Sequence, residues 1–168
     1  RGLEAADAVR KQARAQGIGE REIFDAEGRD FDWETLEASF NAPSLFSAQR
    51  VVEVRLPTGK PGKDGAEVIS KFCANPPPDV ILLITAGDWS KAHHGKWTDA
   101  ISRIGVIAVA WAIKPHELAS WVESRLRAKG LRADSGAVQI LVERVEGNLL
   151  AAAQEIDKLV LLADGEAI

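Results

Sequence analysis

The sequence of 168 residues contains no methionine, no tyrosine and one cysteine, and it has no apolar run long enough for a membrane-spanning helix. The lone thiol, Cys73, cannot form an internal disulfide, which is typical of a reducing compartment and predicts a cytoplasmic protein. One cysteine and three histidines are too few for a structural zinc site, and the sequence shows no signal-peptide layout. We therefore expect no disulfide, no bound metal and no cofactor.

Neither part of the chain has an excess of positive charge. Residues 1–113 contain 14 Lys and Arg against 16 Asp and Glu, residues 114–168 contain 7 against 9, and the net charge is −4. A protein that binds DNA by itself over a broad surface is usually basic. The composition therefore disfavours an independent DNA-binding protein. Because the sequence starts at Arg1 and not at Met, we also expect it to be a piece of a longer protein.

Motifs for nucleotide hydrolysis or nucleophilic catalysis are missing as well. A phosphate-binding loop needs G-x-x-x-x-G-K-[ST] between a strand and a helix, so that backbone N–H groups surround the phosphates. The nearest stretch, residues 57–64 (PTGKPGKD), starts with Pro57 and ends with Asp64 where the Mg-binding hydroxyl should stand. No Ser/His/acid or Cys/His spacing indicates a nucleophile. We predict no catalytic residue in this chain.

Hydrophobic periodicity predicts an α/β fold up to about residue 113. Strand-like runs rich in β-branched residues alternate with amphipathic helices, and the continuously apolar run at 79–85 is typical of a central strand of a covered parallel sheet. Such alternation indicates a layered fold with right-handed crossovers. The predicted helices are 3–15, 32–40, 63–74 and 96–103, and the predicted strands are 21–25, 50–56, 79–85 and 105–111.

After Pro115 the pattern changes to helices alone, and we place a domain boundary near Lys114. The first of three helices ends at Gly130 and the second at Gly147, while Asn148 is the expected N-cap of the third. The chain is therefore predicted to contain an α/β domain, residues 1–113, and a small helical domain, residues 114–168.

The connection between the helix at 32–40 and the strand at 50–56 carries two adjacent apolar residues, Leu45 and Phe46. Pro43 ends the preceding helix, and Ser44 can cap one new turn that holds both side chains outward. Burying such a pair contributes roughly 3–6 kcal/mol to whatever pocket accepts it. Pattern alone favours the simpler interpretation, in which both side chains fold back onto their own core.

A short basic cluster in the helical domain has two interpretations that the sequence does not separate. It is either a solvated helix end favoured by the helix dipole or a contact for phosphate groups of DNA. The cluster consists of Arg125, Arg127, Lys129 and Arg132.

Seven stretches, taken in order and spacing, together carry a family likeness. They are LEAADAVR (3–10), FDW (31–33), SLFS (44–47), VRLP (54–57), LLI (82–84), KW (96–97) and EGNLLA (146–151). The last, followed by QEIDKL at 154–159, is the most specific. This set resembles the delta subunit of the bacterial DNA polymerase III clamp loader.

The resemblance implies a parallel-sheet AAA+-like (P-loop NTPase-like) domain at 1–113 without its opening strand, then a three-helix lid domain at 114–168, with the C-terminal collar domain absent. It also implies a subunit that binds the ring-shaped sliding clamp (beta) and promotes ring opening, so that the clamp is loaded onto primed DNA in chromosomal replication. Such a subunit does not hydrolyse ATP. It belongs to a DNA polymerase holoenzyme, a nucleotidyltransferase complex in the bacterial cytoplasm, alongside the gamma/tau ATPase subunits, delta prime and primer-template DNA.

The resemblance assigns the clamp-binding plug to Leu45 and Phe46, with Pro43 and Ser44 shaping the turn. Active clamp-loader ATPases carry a sensing arginine at the position of Leu150 here, and an arginine-finger Ser-Arg-Cys motif of which only Ser-Arg is present before Ile104. These departures fit a subunit that no longer handles ATP.

Opening a ring needs more than a plug. Moving a closed-to-open ratio from 99:1 to 1:99 takes about 5.5 kcal/mol of preference for the open state. The apolar pair supplies affinity of that order at best, and association costs offset part of it. We expect a second contact from the helix at 32–40 or the loop before Arg50.

An alternative is a receiver-like or other signalling module without catalysis. Lys114-Pro115 after an apolar run is similar to the end of the last strand in phosphorelay receiver domains. Those domains need an acceptor aspartate at the end of a central strand, whereas the run at 79–85 is followed by Ala86 and Gly87, with Asp88 coming too late.

Overall fold

The computed structural model describes residues 2–28, 30–43, 48–87 and 89–163, and the chain divides into two compact units, Arg1–Ala110 and Trp111–Ile168. The strands of the described part are β1 (Glu20–Asp25), β2 (Arg50–Leu56) and β3 (Val80–Ala86). Its α-helices are α1 (Gly2–Ala15), α2 (Trp33–Asn41), α3 (Gly62–Ala74), α4 (Lys96–Ile104), α5 (Leu118–Ala128), α6 (Ser135–Val145) and α7 (Leu149–Leu162). Single 3₁₀ turns lie at Lys91–His93 and Pro115–Glu117.

The three strands form a parallel sheet in the order β1-β2-β3. Consecutive parallel strands need a crossover, and α2 and α3 supply the two crossovers here. Since side chains alternate along a strand, β2 serves both faces of the sheet. Val52, Val54 and Leu56 enter the main core, whereas Val51 packs with residues of α1 and the turn after it.

The main core of the first unit lies between the sheet and the helices α2, α3 and α4. Leu36 and Ile69 are fully buried in it, and the rings of Phe40 and Phe72 pack with centroids 4.7 Å apart. α2 is therefore anchored to the core by its middle and its last turn, and this anchoring determines where the chain leaves the helix.

The predicted α/β class is confirmed, and the bounds of seven predicted helices and strands in the first unit agree with the structure within one residue at each end. They agree because periodic burial on one helix face, or on both faces of a strand, determines the sequence pattern. The three helices predicted after Pro115 are also present.

The buried strand predicted at 105–111 is wrong. Residues 105–114 form no regular secondary structure, Val106 is 89% exposed and Trp111 is 65% exposed. A strand exists only where a neighbour completes its hydrogen-bonded ladder, and within the described ranges this segment joins no strand of the sheet. An apolar, β-branched run shows the propensity for a strand but does not supply the partner.

The second unit has a core of its own. Val122 and Leu126 of α5 pack with Val138 and Val145 of α6 and with Ile156 of α7. Asn148 caps α7 as predicted, because its side chain accepts hydrogen bonds from the N–H groups of Leu150 and Ala151, both at 3.1 Å. The cores of the two units share no residue.

None of the helices in the described ranges has the length and apolar content needed to cross a membrane.

Candidate functional site

The connection from α2 to β2 is described at both of its ends. α2 ends at Asn41, and its C-cap Ala42 adopts an extended conformation (φ −74°, ψ 136°) that leads into exposed Pro43. Of the four predicted clamp-binding residues, Pro43 is thus located at the surface, immediately after a core-anchored helix. The other three, Ser44, Leu45 and Phe46, lie outside the described residues.

The start of α2 is defined by Asp32, whose side chain accepts hydrogen bonds from the N–H groups of Glu34 and Thr35 at 3.0 and 3.1 Å. The Thr35 hydroxyl also donates to this carboxylate, and these bonds hold the pKa of Asp32 below its ordinary value. An ionised side chain at the N-terminus is favoured by the helix dipole. α2 therefore begins at a defined residue as well as being anchored through its core face.

The end of α2 is held by a residue that the sequence analysis did not single out as functional. Arg50, the first residue of β2, is 3% exposed. Its Nη2 donates to the carbonyl oxygen of Ala42 at 2.9 Å and to that of Ser39, and its Nη1 donates to Glu22 of β1 at 3.3 Å. The available signal was a charged residue at the start of a strand in which Val and Leu occupy four of the other six positions.

The far end of the connection is tied to the sheet. The Gln49 side chain donates to the carbonyl oxygen of Pro78 at 3.2 Å, and the N–H of Arg50 donates to the carbonyl oxygen of Asp79 at 2.8 Å. Both described ends of the connection thus have hydrogen bonds to the body of the unit.

A second buried charge lies on the opposite face of the sheet. Glu53 is fully buried, and Arg10 of α1 binds it with two nearly parallel hydrogen bonds of 3.0 and 2.7 Å. Arg55 adds a bond of 3.1 Å, and Arg21 lies 3.7 Å away. The bonds from Arg10, followed by the contribution of Arg55, outweigh burial and lower the pKa of Glu53. This network joins α1, β1 and β2, and among the described residues none of its bonds reaches the α2–β2 connection.

The loop that superficially resembles a phosphate cradle, residues 57–64, lies between β2 and α3. The N–H of Gly59 closes a turn on Leu56 at 2.9 Å, and the N-cap of α3 is Pro61, which makes no side-chain capping bond. Asp64 stands exposed in the first turn of α3, where its negative charge repels phosphate. Across the described ranges, no group of three or more His, Cys, Asp or Glu side chains is arranged to hold a metal ion.

The four residues of the predicted basic cluster lie on α5 and in the segment after it. Arg127 pairs with Glu123 at 2.7 Å, Lys129 pairs with Asp157 at 3.0 Å, and the guanidinium of Arg125 lies 5.0 Å from the ring centroid of Trp121. Arg127 and Arg132 line one open cleft of about 450 Å³ together with Glu123. Two of the four charges are thus partly neutralised by neighbouring carboxylates.

The receiver-like alternative loses the feature on which it was based. It needs a last strand that ends at Lys114, and residues 105–114 form no regular secondary structure. Asp88, the acidic residue nearest the end of β3, lies outside the described residues.

Comparison with known proteins gives a consistent result. The model of the family described as DNA polymerase III, delta subunit, matches residues 3–108. The chain is 31% identical over 160 residues to DNA polymerase III subunit delta of Escherichia coli K12, covering 95% of this chain and 46% of that protein. The subunit of the same name from Haemophilus influenzae is 27% identical over 166 residues, covering 95% and 47%. The chain thus spans about half the length of the curated relatives it matches.

Among solved structures, the DNA clamp loader delta protein of Bacillus subtilis is similar in fold, with a TM-score of 0.74 and 20% sequence identity. The similarity covers 99% of this chain and 51% of that one.

Proposed function

The chain belongs to the DNA polymerase III delta subunit family, and from this membership we propose that it binds the ring-shaped sliding clamp and favours the open ring. Ring opening allows the clamp to be loaded onto primed DNA in chromosomal replication. The observation that carries the proposal is the family match over residues 3–108, a range that contains the whole α2–β2 connection.

The clamp-binding site of this proposal is the α2–β2 connection, with Leu45 and Phe46 as an apolar plug and Pro43 and Ser44 shaping the turn. The described ends support this assignment, because Pro43 is exposed directly after a helix that is anchored in the core. An apolar pair on a rigid support loses little conformational entropy on binding, so more of its roughly 3–6 kcal/mol of burial energy contributes to affinity.

Ring opening requires a contact that is stronger with the open clamp than with the closed one. The exposed face of α2, which includes Glu34, Thr35 and Ala38, lies on the same helix that leads into the proposed plug and is our candidate for that second contact, together with Gln49. Both are held in fixed positions relative to the core by the contacts described above.

We further propose that the chain is a non-catalytic, cytoplasmic part of the polymerase complex, in which its partners are the gamma/tau ATPase subunits, delta prime and primer-template DNA. Asp64, Ile104 and Leu150 support the non-catalytic role, since each replaces a residue that ATP handling requires. In this proposal residues 1–113 are the AAA+-like domain and residues 114–168 the lid. The DNA phosphate contacts proposed for the second unit involve Arg125, Arg127, Lys129 and Arg132.

The test is a calorimetric titration of purified bacterial sliding clamp with the chain and with the variant Leu45→Ala/Phe46→Ala. We expect the variant to bind at least about a hundredfold more weakly, because removing the pair forfeits several kcal/mol of apolar burial. Leu161→Ala, which truncates an apolar side chain that is 83% exposed in the second unit, is the control and should bind as the unchanged chain does. Equal affinity of the double variant and the unchanged chain would show that the plug assignment is wrong.

A further inference from the structure

Arg50 connects three elements around the proposed site through one buried guanidinium. A helix leaves its last four carbonyl groups without intrahelical N–H partners. Arg50 donates to one of these, the carbonyl oxygen of Ser39, which also accepts from the N–H of Ala42, and to the carbonyl oxygen of Ala42 itself. Its second terminal nitrogen binds Glu22 on β1 at 3.3 Å. A cation is also favoured at the C-terminal end of a helix by the helix dipole. The end of α2 is therefore held by charge-assisted bonds, which are stronger than neutral ones.

The residues that Arg50 holds are those that determine how the chain leaves α2. Ala42 directly precedes Pro43, and a residue before proline is restricted to extended conformations, as its ψ of 136° reflects. With its carbonyl oxygen bound by Arg50, Ala42 has little freedom to rotate. At the other end of the connection, Gln49 is held by its bond to Pro78.

We infer that Arg50 is a positioning residue for clamp binding, which fixes the direction of the chain after α2 and so pre-organises the connection that carries Leu45 and Phe46. The inference rests on the function proposed above. Arg50 itself is buried and does not touch the partner in this account. Its contribution is to reduce the ordering that the connection must undergo when it binds, which is a general source of affinity.

The first experiment measures the dissociation constant for purified bacterial sliding clamp by calorimetry, using the full 168-residue chain and the variants Arg50→Met and Arg50→Lys. We expect Arg50→Met to bind about tenfold more weakly, because the hydrogen bonds to the carbonyl oxygens of Ser39 and Ala42 are lost. Arg50→Lys should lie between the two, since lysine keeps the charge but not the planar fork of donors.

The matched control is Arg55→Met. Arg55 is on the same strand, and its guanidinium binds Glu53 and Asp25 and not the described residues of the α2–β2 connection. We expect its dissociation constant to stay within about twofold of the unchanged chain, a difference well under 1 kcal/mol. Urea denaturation of each variant, followed by circular dichroism, establishes that the titrated protein is folded.

The second experiment separates positioning from a purely structural role. In the background Leu45→Ala/Phe46→Ala, the substitution Arg50→Met should weaken binding no further, because the groups that Arg50 positions are gone. A general loosening of the fold would weaken binding in both backgrounds by the same factor, and that result would overturn the inference.

The outcomes for the inference and for the proposed function are distinct. If Leu45→Ala/Phe46→Ala loses affinity while Arg50→Met and Arg50→Lys bind like the unchanged chain, the inference fails and the proposed plug stands. If the plug variant binds normally, the proposed site itself fails. If Arg50→Met does not fold, Arg50→Lys alone is the test. A dissociation constant at least about threefold larger than that of the unchanged chain supports the inference, and an unchanged dissociation constant overturns it.

Discussion

Two almost fully buried ionisable residues, Arg50 and Glu53, lie three positions apart on β2 and point to opposite faces of the sheet. Each is stable in its environment because opposite charges and hydrogen bonds replace the water that burial removes. For Arg50 these partners are the carbonyl oxygens of Ser39 and Ala42 and the Glu22 carboxylate, and for Glu53 they are arginines from α1 and β2. Removing one member of such a group leaves the opposite charge buried without compensation, which is among the most damaging single changes in a protein core.

At the scale of this one residue we predict that Glu53→Gln lowers the free energy of unfolding by roughly 3 kcal/mol at pH 7. The pKa of Glu53 is lowered in the folded state, chiefly by the bonds from Arg10. A lowered pKa means that the stabilisation is fully present above the unfolded-state value of about 4.3 and is lost as the pH falls through the folded-state value. The deficit of the variant should therefore shrink below about pH 4, which urea denaturation at pH 7, 5, 4 and 3 will measure.

Glu123→Gln is the control for that series, because Glu123 forms an exposed ion pair with Arg127. Exposed pairs contribute little to stability, and we expect little change at any pH. A deficit for Glu53→Gln that stays the same from pH 7 to pH 3 would contradict the assigned role of the Glu53 carboxylate.

At the scale of elements, the position of α2 depends on how closely it packs against α3. Trp33 in the first turn of α2 lies directly over Gly65 of α3, and a Cβ atom at Gly65 would come within 2.6 Å of the Trp33 ring atoms Cε2 and Cη2. The backbone of Gly65 is in an ordinary helical conformation, so the fold does not need glycine here for its backbone freedom. The close approach of the Trp33 ring is the reason for glycine at this position. The pair fixes the distance between the two crossover helices on one face of the sheet.

We therefore predict that Gly65→Ala is destabilising although alanine is the better helix former. Helix propensity favours alanine by about 1 kcal/mol, and overpacking costs typically about 1–3 kcal/mol, so a net loss of about 1 kcal/mol is expected. In the background Trp33→Leu the ring is gone and the same substitution should become neutral or stabilising. Urea denaturation of the four proteins in this double-mutant cycle gives the coupling. A stabilising effect of Gly65→Ala next to the intact Trp33 would show that the contact is not tight.

At the scale of the whole molecule, the chain consists of two units with separate cores, and the proposed plug belongs to the first. A change in one core therefore acts first on the stability of its own unit. The mixed and nearly balanced charge of the chain, −4 overall, is unlike that of proteins that bind DNA over a broad face by themselves and is compatible with the proposed clamp binding.

We predict that Ile156→Ala, at a fully buried position of the second unit, lowers stability by about 2–5 kcal/mol but leaves clamp affinity unchanged. The matched variant is Ile69→Ala, at a fully buried position of the first unit, which should destabilise similarly and also weaken clamp binding because α3 supports α2. Thermal melts and calorimetric titration below the melting range measure both effects. Equal loss of affinity in the two variants would contradict a site confined to the first unit.

The sequence by itself determined the alternation of helices and strands, the three helices after Pro115 and the family, because burial on one face of an element makes apolar residues recur at the period of that element. Contacts between residues that are distant in the sequence produce no such repeat. Glu53 and Arg10 are 43 positions apart, Gly65 lies far along the chain from Trp33, and Arg50 reaches back to Ser39 and Ala42 across the connection. The segment 105–111 shows the same limit, since its apolar run has the composition of a strand but only the tertiary structure decides whether a neighbouring strand is there to pair with it.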